Sequence, residues 1–196
     1  MKINNLNKRD YKELTKLVRN NLKNSVLFYL SDKFIKFSFF EEVLNNKSFF
    51  TLVAKNKHEI MGFIIIKKKF GSFSNKFILK MIVDAFLSTF TRDIFLFFKL
   101  FGVRFAARKI FKKFEDNYID SAEIIYIAVE NKYRKKGIGR KLIIEASKKL
   151  DKYHKFIITS SENSKPVINF YKRNNFNIIG YETRFKKKNV LMVKVL

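Results

Sequence analysis

The chain has 196 residues, of which 47% are hydrophobic, 24 are Phe and none is Cys. This length and apolar content predict one folded α/β or α+β domain rather than a disordered chain. The absence of cysteine excludes a disulfide framework, a thiolate metal site and a cysteine nucleophile. The formal net charge of +25 favours a solvated lysine-rich surface over the alternative, an anionic partner such as a phosphorylated cofactor, nucleic acid or a membrane.

Neither a secretory signal nor a membrane span is predicted. The N-terminal residues are polar and lack the apolar stretch of a signal peptide. The most apolar region, residues 77–114, is interrupted by Lys, Arg and Asp, so it is a poor candidate for a span. Together with the missing cysteines, this predicts a cytoplasmic protein. No basic recognition helix or zinc-finger spacing is visible, so nucleic acid is an unfavoured partner.

The first part of the chain predicts two helical regions and a β-hairpin. Residues 7–24 carry apolar residues at helical spacing, and Asn7 or Asp10 could cap that helix. Residues 25–46 predict a second helical region. The segments FFTLVAK and EIMGFIIIK, both within residues 49–67, predict antiparallel strands joined by a polar turn.

The region from residue 77 to 114 predicts an unusual helical insert of two or three helices with basic faces. Its apolar faces are too extensive for solvent, so they should pack on the domain, on a second subunit of a homodimer or on a membrane surface. The remaining elements are predicted as a strand, a helix, a strand, a helix and two strands, over residues 123–129, 139–152, 155–160, 166–173, 176–185 and 189–196.

The segment YRKKGIGRKL, residues 133–142, lies between a predicted strand and a predicted helix. Gly137 and Gly139 allow a sharp turn and the close approach of a ligand. The loop ends at a helix N-terminus, whose unpaired N–H groups and dipole favour a phosphate. Additional positive charge comes from Arg134, Lys135, Lys136 and Arg140. An ordinary strand-to-helix turn in a lysine-rich chain is an equally acceptable interpretation of the loop alone.

The glycine spacing fits neither a P-loop nor the G-x-G-x-x-G dinucleotide fingerprint. RKKGIG instead resembles the Q/R-x-x-G-x-G/A signature of the GNAT acetyltransferases, and VINFYKRNNF resembles their second motif. Asn175 stands where the family usually has Gly, and Asn tolerates the left-handed backbone needed there. The resemblance implies an α/β fold with a central mixed, mostly antiparallel sheet flanked by helices, in a single acetyltransferase domain over residues 1–196 with residues 77–114 as an extra insert.

The resemblance also implies acetyl-CoA as co-substrate and no metal. In this family, backbone amides of the loop hold the pyrophosphate, which corresponds here to Arg134, Lys135, Lys136, Gly137, Ile138, Gly139 and Arg140. The strand before the loop lies along the pantetheine and polarises the thioester carbonyl, which corresponds to Ile127, Ala128 and Val129. A polar side chain before the second-motif helix, Asn163 or Ser164, would contact the cofactor arm; Asn163 is the candidate assigned.

Two catalytic candidates follow from the same resemblance. Tyr171 matches the tyrosine that serves as general acid toward the CoA sulfur, in preference to a purely structural core tyrosine. Glu123 matches the glutamate that serves as general base in histone-type members, although an exposed residue at the start of a strand is a slightly favoured alternative. His58 and His154 are weaker candidates for the base, because both lie in polar connections.

The predicted reaction is transfer of an acetyl group from acetyl-CoA to a primary amine. The acceptor is not identified by the sequence: a small molecule such as a nucleotide-linked amino sugar and a protein amine are both retained. A non-catalytic basic module on the same scaffold, binding an anionic membrane or nucleic acid, is the alternative from another functional class. A longer acyl-CoA donor is a third alternative.

Overall fold

The computed structural model describes residues 1–23, 25–57, 59–69, 73–89, 118, 120–150, 154–184 and 187–196. The strands in these residues are β1 (Lys2–Asn5), β2 (Phe49–Lys55), β3 (Ile60–Lys67), β4 (Ser121–Val129), β5 (Phe156–Glu162), β6 (Asn177–Arg184) and β7 (Lys187–Val195). The α-helices are α1 (Tyr11–Asn21), α2 (Asp32–Phe34), α3 (Phe40–Asn45), α4 (Asn75–Thr89), α5 (Ile138–Lys149) and α6 (Lys165–Lys172).

The strands form a seven-stranded, mostly antiparallel sheet, and this confirms the predicted fold class. The chain divides into two compact units. The first contains Met1–Lys68 and Ile124–Leu150, and the second contains Lys69–Glu123 and Asp151–Leu196. The expectation of a single acetyltransferase domain over residues 1–196 stays a prediction.

In the first unit, strand order runs β1-β2-β3-β4. The predicted hairpin is confirmed: β2 and β3 pair antiparallel from Phe49↔Lys67 onward, with a register shift at Ala54/Lys55. Strand β1 was not predicted, because its sequence KINN is short, polar and without apolar alternation. It pairs with β2 from Lys2↔Lys55, so its register is supplied by its partner strand rather than by its own side chains.

The first helix begins with a capping box that uses both predicted cap residues. The Asn7 side chain accepts a hydrogen bond from the Arg9 amide at 2.9 Å, and the Asp10 carboxylate accepts from the Asn7 amide at 3.0 Å. A short 3-10 turn then leads into α1, which ends three residues earlier than predicted. Each of these bonds satisfies an amide that has no partner within the helix.

The predicted second helical region is also confirmed, with one irregularity. It contains α2, a π-helical turn at Ile35–Phe39 and α3. The widened turn buries Ile35 and Phe39, and the Phe39 ring lies 6.0 Å from that of Tyr126 on β4. Sequence periodicity could not reveal this turn, because the apolar run FIKFSFF is compatible with either helical period.

In the second unit, β5, β7 and β6 are neighbours in that order, and both pairings are antiparallel. Pro166 lies in the first turn of α6, as predicted. Past the end of α6, Asn175 has a φ of 65°, which confirms the predicted left-handed residue. The Phe176 amide then donates to the Tyr171 carbonyl at 3.1 Å, so the helix end is satisfied in the manner of a left-handed C-cap.

Helix α4 is the described part of the predicted insert; residues 90–114 lie outside the described residues. Its buried side chains include Phe77, Ile82 and Ala85. Three apolar side chains four residues apart are exposed: Leu79, Val83 and Leu87. Among the helices described, none combines the length and the apolar character required to cross a bilayer.

Candidate cofactor loop and catalytic residues

The glycine loop leads into α5 through a left-handed residue. Gly137 is the N-cap, with φ 77° and ψ 1°, and its carbonyl accepts the first helical hydrogen bond, from Lys141 at 3.0 Å. The amides of Ile138, Gly139 and Arg140 lie before Lys141 in the chain, ahead of the first helical donor. Because the first amides of a helix point along its axis with no internal acceptor, they can donate together to an anion.

The surroundings of these amides favour a negatively charged ligand. Lys135, Lys136, Gly137 and Arg140 are exposed. A Cβ built on Gly137 meets no heavy atom within 4 Å, so the backbone there is open to a ligand. The positive end of the α5 dipole adds to the lysine charges. The arrangement can therefore bind a phosphate group, which is the role predicted for the loop.

Arg134 makes contacts within the protein that the sequence did not reveal. Its Nε donates to the Val129 carbonyl at 3.1 Å, and its Nη2 donates to Oδ1 of Asn21 at 2.8 Å. The Asn21 amide group in turn donates to Oε2 of Glu130 at 3.3 Å and to the Leu17 carbonyl at 3.0 Å. Asn21, at the end of α1, is thus hydrogen-bonded both to Glu130, just after β4, and to Arg134, at the start of the loop. We call this pair of contacts the Asn21 brace.

Tyr133 fixes the other side of the loop. Its hydroxyl donates to Oε1 of Glu59, and Nζ of Lys132 lies 2.5 Å from Oε2 of the same carboxylate. These two contacts, Lys132 first, hold the pKa of Glu59 below its usual range. The Lys136 ammonium lies 5.4 Å from the Tyr133 ring centroid, within range of a cation–π contact. The hairpin turn and the loop are therefore joined by one cluster.

The strand before the loop presents its backbone rather than reactive side chains. Ala128 is buried, and Ile127 and Val129 are half-buried. On the neighbouring strand β3, a Cβ at Gly62 would lie 2.7 Å from the Ala128 carbonyl oxygen and 3.2 Å from Cγ2 of Val129. Gly62 therefore permits a close approach of β3 to β4 at the residues predicted to lie along the cofactor.

Tyr171 lies in the second unit and is 3% exposed. Its ring is 5.1 Å from the rings of both Phe170 and Phe176. Its hydroxyl accepts a hydrogen bond from Oγ1 of Thr159 at 3.3 Å, and Thr159 contacts Oγ of Ser161 at 3.0 Å. Burial raises the pKa of Tyr171 above its ordinary value, and the two hydroxyls oppose that shift in part.

The sequence did not identify Thr159 and Ser161 as neighbours of the Tyr171 hydroxyl. The signal was present in β5, since residues two apart on a strand face the same side and TSSE places hydroxyls at such positions. The sequence alone did not show that this side faces the Tyr171 hydroxyl.

Glu123 is buried on β4, at 6% exposure. The alternative that it is an exposed residue at the start of a strand is therefore wrong. Asn163 is exposed, and Ser164 is the N-cap residue of α6. His154 is half-buried, and His58 lies outside the described residues. Within the part of the chain that the structure describes, no group of three or more His, Cys, Asp or Glu residues could hold a metal ion.

Comparison with known proteins adds a partial match to a family model and a shared fold. Residues 104–178 match the model of the acetyltransferase (GNAT) domain. A search of curated proteins by sequence gave no significant match. Solved structures that share the fold include a ribosomal-protein-alanine N-acetyltransferase from Brucella melitensis, with a TM-score of 0.62, 16% identity and 100% of both chains covered.

Two further similar structures were solved with coenzyme A. One is an aminoglycoside 6'-N-acetyltransferase, with a TM-score of 0.62 and 15% identity, covering 100% of this chain and 97% of that one. The other is the PaiA N-acetyltransferase from Thermoplasma acidophilum, with a TM-score of 0.57, 16% identity and 100% of both chains covered. The matched residues include the glycine loop and Tyr171. Residues 104–178 therefore match the GNAT acetyltransferase domain model, and the chain shares the fold of these solved acetyltransferases.

Proposed function

We propose that the protein transfers an acetyl group from acetyl-CoA to a primary amine. The observation that supports this most directly is the left-handed Gly137 at the start of α5. It precedes three amides with no helical acceptor, in a loop flanked by exposed lysines. A pyrophosphate matches such a site in charge and in its number of acceptor oxygens. We assign the loop residues 134–140, the strand residues 127–129 and Asn163 to acetyl-CoA.

The chemistry needs a polarised thioester carbonyl, a deprotonated amine and a protonated leaving thiolate. Backbone N–H groups of β4 at residues 127–129 would serve the first task. Glu123 would accept the amine proton, since a carboxylate among apolar neighbours is a suitable base. Tyr171 would protonate the thiolate, because a buried phenol with a raised pKa stays protonated at neutral pH.

The acceptor we propose is a primary amine on a small molecule, such as a nucleotide-linked amino sugar, or on a protein. Structurally similar proteins include both classes, an aminoglycoside acetyltransferase and ribosomal-protein-alanine acetyltransferases. At 16% identity or below these similarities do not transfer a substrate. An acetyl-transfer screen over aminoglycosides, amino sugars and peptides with N-terminal alanine would choose between the two classes.

The exposed apolar side chains of α4 support a second, weaker proposal. Leu79, Val83 and Leu87 project beside the exposed Lys76 and Lys80, on a chain of net charge +25. A basic helix of this kind can lie on an anionic membrane. Flotation with anionic vesicles tests it: binding should weaken in Leu79→Ser/Val83→Ser and should be absent with neutral vesicles. Failure of the wild type to float would end the membrane proposal without affecting the transfer reaction.

The experiment that tests the main proposal is thermal unfolding with and without acetyl-CoA. At about 100 times its dissociation constant, acetyl-CoA should stabilise the protein by about 2.7 kcal/mol, which is about 5–10 °C in Tm. Gly139→Glu should abolish the shift, because its carboxylate would occupy the anion site while remaining favourable to the helix itself. Gly139→Gln is the matched control without charge and should retain part of the shift.

An unchanged Tm in the wild type would argue against acetyl-CoA binding. The basic-module alternative would then predict tight nucleic-acid or vesicle binding that falls steeply with salt. A larger shift with a longer acyl-CoA than with acetyl-CoA would correct the donor and leave the loop assignment standing.

A further inference from the structure

The hydroxyl groups around Tyr171 can be oriented by counting their protons. Each hydroxyl has one proton to donate. Thr159 donates its proton to the Tyr171 oxygen, at 3.3 Å. Its oxygen must therefore be the acceptor in the 3.0 Å contact with Ser161, and Ser161 is the donor. The chain of hydrogen bonds runs from Ser161 through Thr159 to Tyr171.

Among the contacts of the described residues, no carbonyl or carboxylate accepts the Tyr171 proton. The neighbours of the phenol are the hydroxyls of Thr159 and Ser161 and the rings of Phe170 and Phe176. No charged side chain contributes to the shift in its pKa. A tyrosine that accepts a hydrogen bond from a hydroxyl, and whose proton is not held by a carbonyl or carboxylate, can direct that proton toward a reacting atom.

Tyr11 in the first unit provides an internal comparison. It is also buried, and its ring stacks on Phe40 at 5.4 Å. Burial, with a smaller effect of Glu41, raises its pKa to about 12. Its hydroxyl, however, donates to the Phe40 carbonyl at 3.3 Å. The Tyr11 proton is therefore held by the backbone, so burial is common to both tyrosines while the direction of the hydrogen bond differs.

We propose that Thr159 and Ser161 are positioning residues that orient the Tyr171 proton toward the leaving thiolate and then resupply it. This inference rests on the proposed function, in which Tyr171 is the general acid. As the C–S bond of the tetrahedral intermediate breaks, the Tyr171 O–H bond breaks and an S–H bond forms. The phenolate then takes the Thr159 proton, Thr159 takes that of Ser161, and Ser161 takes one from water.

The burial of the three residues fits this sequence of transfers. Thr159 is buried, like Tyr171, and cannot exchange its proton with water directly. Ser161 is only partly buried, near the end of β5. The hydroxyls also stabilise the phenolate while it exists, because both act to lower the pKa that burial raises.

A titration of Tyr171 tests the direction of the hydrogen bonds without any substrate. In protein labelled with 3-fluorotyrosine, the Tyr171 ¹⁹F resonance is the one missing from Tyr171→Phe. Thr159→Val removes the donor and keeps the shape, so the titration midpoint should rise by about one pH unit. Thr159→Ser should restore the wild-type midpoint. A downward or absent shift in Thr159→Val would overturn the proposal, since an acceptor of the phenol proton has the opposite effect.

Steady-state kinetics with acetyl-CoA and the best amine from the acceptor screen test the catalytic part. Thr159→Val should lower kcat about tenfold, and Ser161→Ala about threefold, with an unchanged KM for acetyl-CoA. The alkaline limb of the kcat profile should move to higher pH in Thr159→Val, and Thr159→Ser should reverse both changes. A purely structural threonine would alter stability or KM and leave that limb in place.

The outcomes separate the inference from the function on which it rests. If Tyr171→Phe keeps the wild-type kcat, the general-acid role fails and the inference fails with it. If Tyr171→Phe loses activity while Thr159→Val keeps both kcat and the ¹⁹F midpoint, only the role of the hydroxyls is overturned. Tyr11→Phe, the matched control, should leave kcat and the Tyr171 titration unchanged.

Discussion

The glycine loop and the hydroxyl cluster of Tyr171, Thr159 and Ser161 are built from different parts of the chain. The loop offers backbone amides at an exposed helix end, and its geometry depends on the left-handed Gly137. The cluster contains one phenol hydroxyl, which is buried beside the rings of Phe170 and Phe176 and accepts a hydrogen bond from Thr159. In the proposed function, binding therefore depends on backbone conformation in the first unit, and proton transfer depends on side-chain identity in the second.

This difference predicts separable effects of mutation. A change in the loop should act on cofactor affinity, because any residue that keeps the backbone angles keeps the amides. A change in the hydroxyl cluster should act on kcat, because only a hydroxyl of suitable pKa can give a proton. A mutation that affects both quantities equally would contradict the division.

The largest effect is expected for Tyr171→Phe. It should lower kcat about 10²–10³-fold, the range for loss of a general acid, and leave the acetyl-CoA Kd within about twofold. Because burial raises the pKa of Tyr171, the wild-type acid stays protonated at neutral pH, and its activity should decline only at alkaline pH, beyond the ordinary phenol pKa of about 10. Thiol release measured against pH checks both statements; an equal loss in affinity would contradict them.

The next largest effect is expected for Gly62→Ala. The new Cβ would lie 2.7 Å from the Ala128 carbonyl oxygen, a backbone atom that can shift only with its strand. We expect a loss of about 2–3 kcal/mol in the free energy of unfolding, as for overpacked cores, together with weaker acetyl-CoA binding. Urea denaturation and calorimetry measure the two effects. A stable variant with normal affinity would mean that β4 tolerates displacement.

A smaller effect is expected at Gly137, where φ is 77° and a Cβ meets no neighbour. Gly137→Ala should cost about 1–2 kcal/mol of stability from backbone strain alone. Gly137→Asn should cost less than Gly137→Ala, because Asn enters the left-handed region more readily. Thermal unfolding of the two variants measures both losses of stability. Equal losses would indicate that the left-handed backbone angle at residue 137 is not what destabilises the variants.

The smallest effect is expected for Asn21→Ala, which removes the brace between Arg134 and Glu130. These contacts are at or near the surface, so we expect acetyl-CoA to bind about two- to fivefold more weakly. kcat should not change, since the hydroxyl cluster around Tyr171 is untouched. Isothermal titration alongside steady-state kinetics measures both. A tenfold loss of kcat would contradict this expectation and would mean that Asn21 also affects the chemical step.

Local sequence rules predicted the parts of the fold that local chemistry determines. The β2–β3 hairpin and the loop and helix after β4 were predicted from composition and spacing, and the left-handed Asn175 was predicted from the resemblance to the second GNAT motif. Strand β1 could not be predicted, because KINN has no apolar alternation and its strand conformation comes from pairing with β2. The π-helical turn at Ile35–Phe39 could not be predicted for a related reason. Its sequence is compatible with both α-helical and π-helical hydrogen bonding, and tertiary packing determines which one forms.

The candidate site was predictable to the extent that it consists of motif residues. The glycines and Tyr171 were identified, whereas Asn21, Thr159 and Ser161 were not. Asn21 and Arg134 are distant in sequence and meet only through folding. Direction of hydrogen bonding at Tyr171 is likewise a property of three dimensions, because it depends on which oxygen each hydroxyl faces.

The left-handed Asn175 has a consequence for how this sequence can change over generations. The chain is rich in Lys, Asn, Ile and Phe and has only six Gly, the outcome expected where codons drift toward adenine and thymine. The end of α6 requires a backbone angle, and Asn supplies that angle without a guanine-rich codon. Drift in nucleotide composition can therefore proceed through this turn while the topology stays intact.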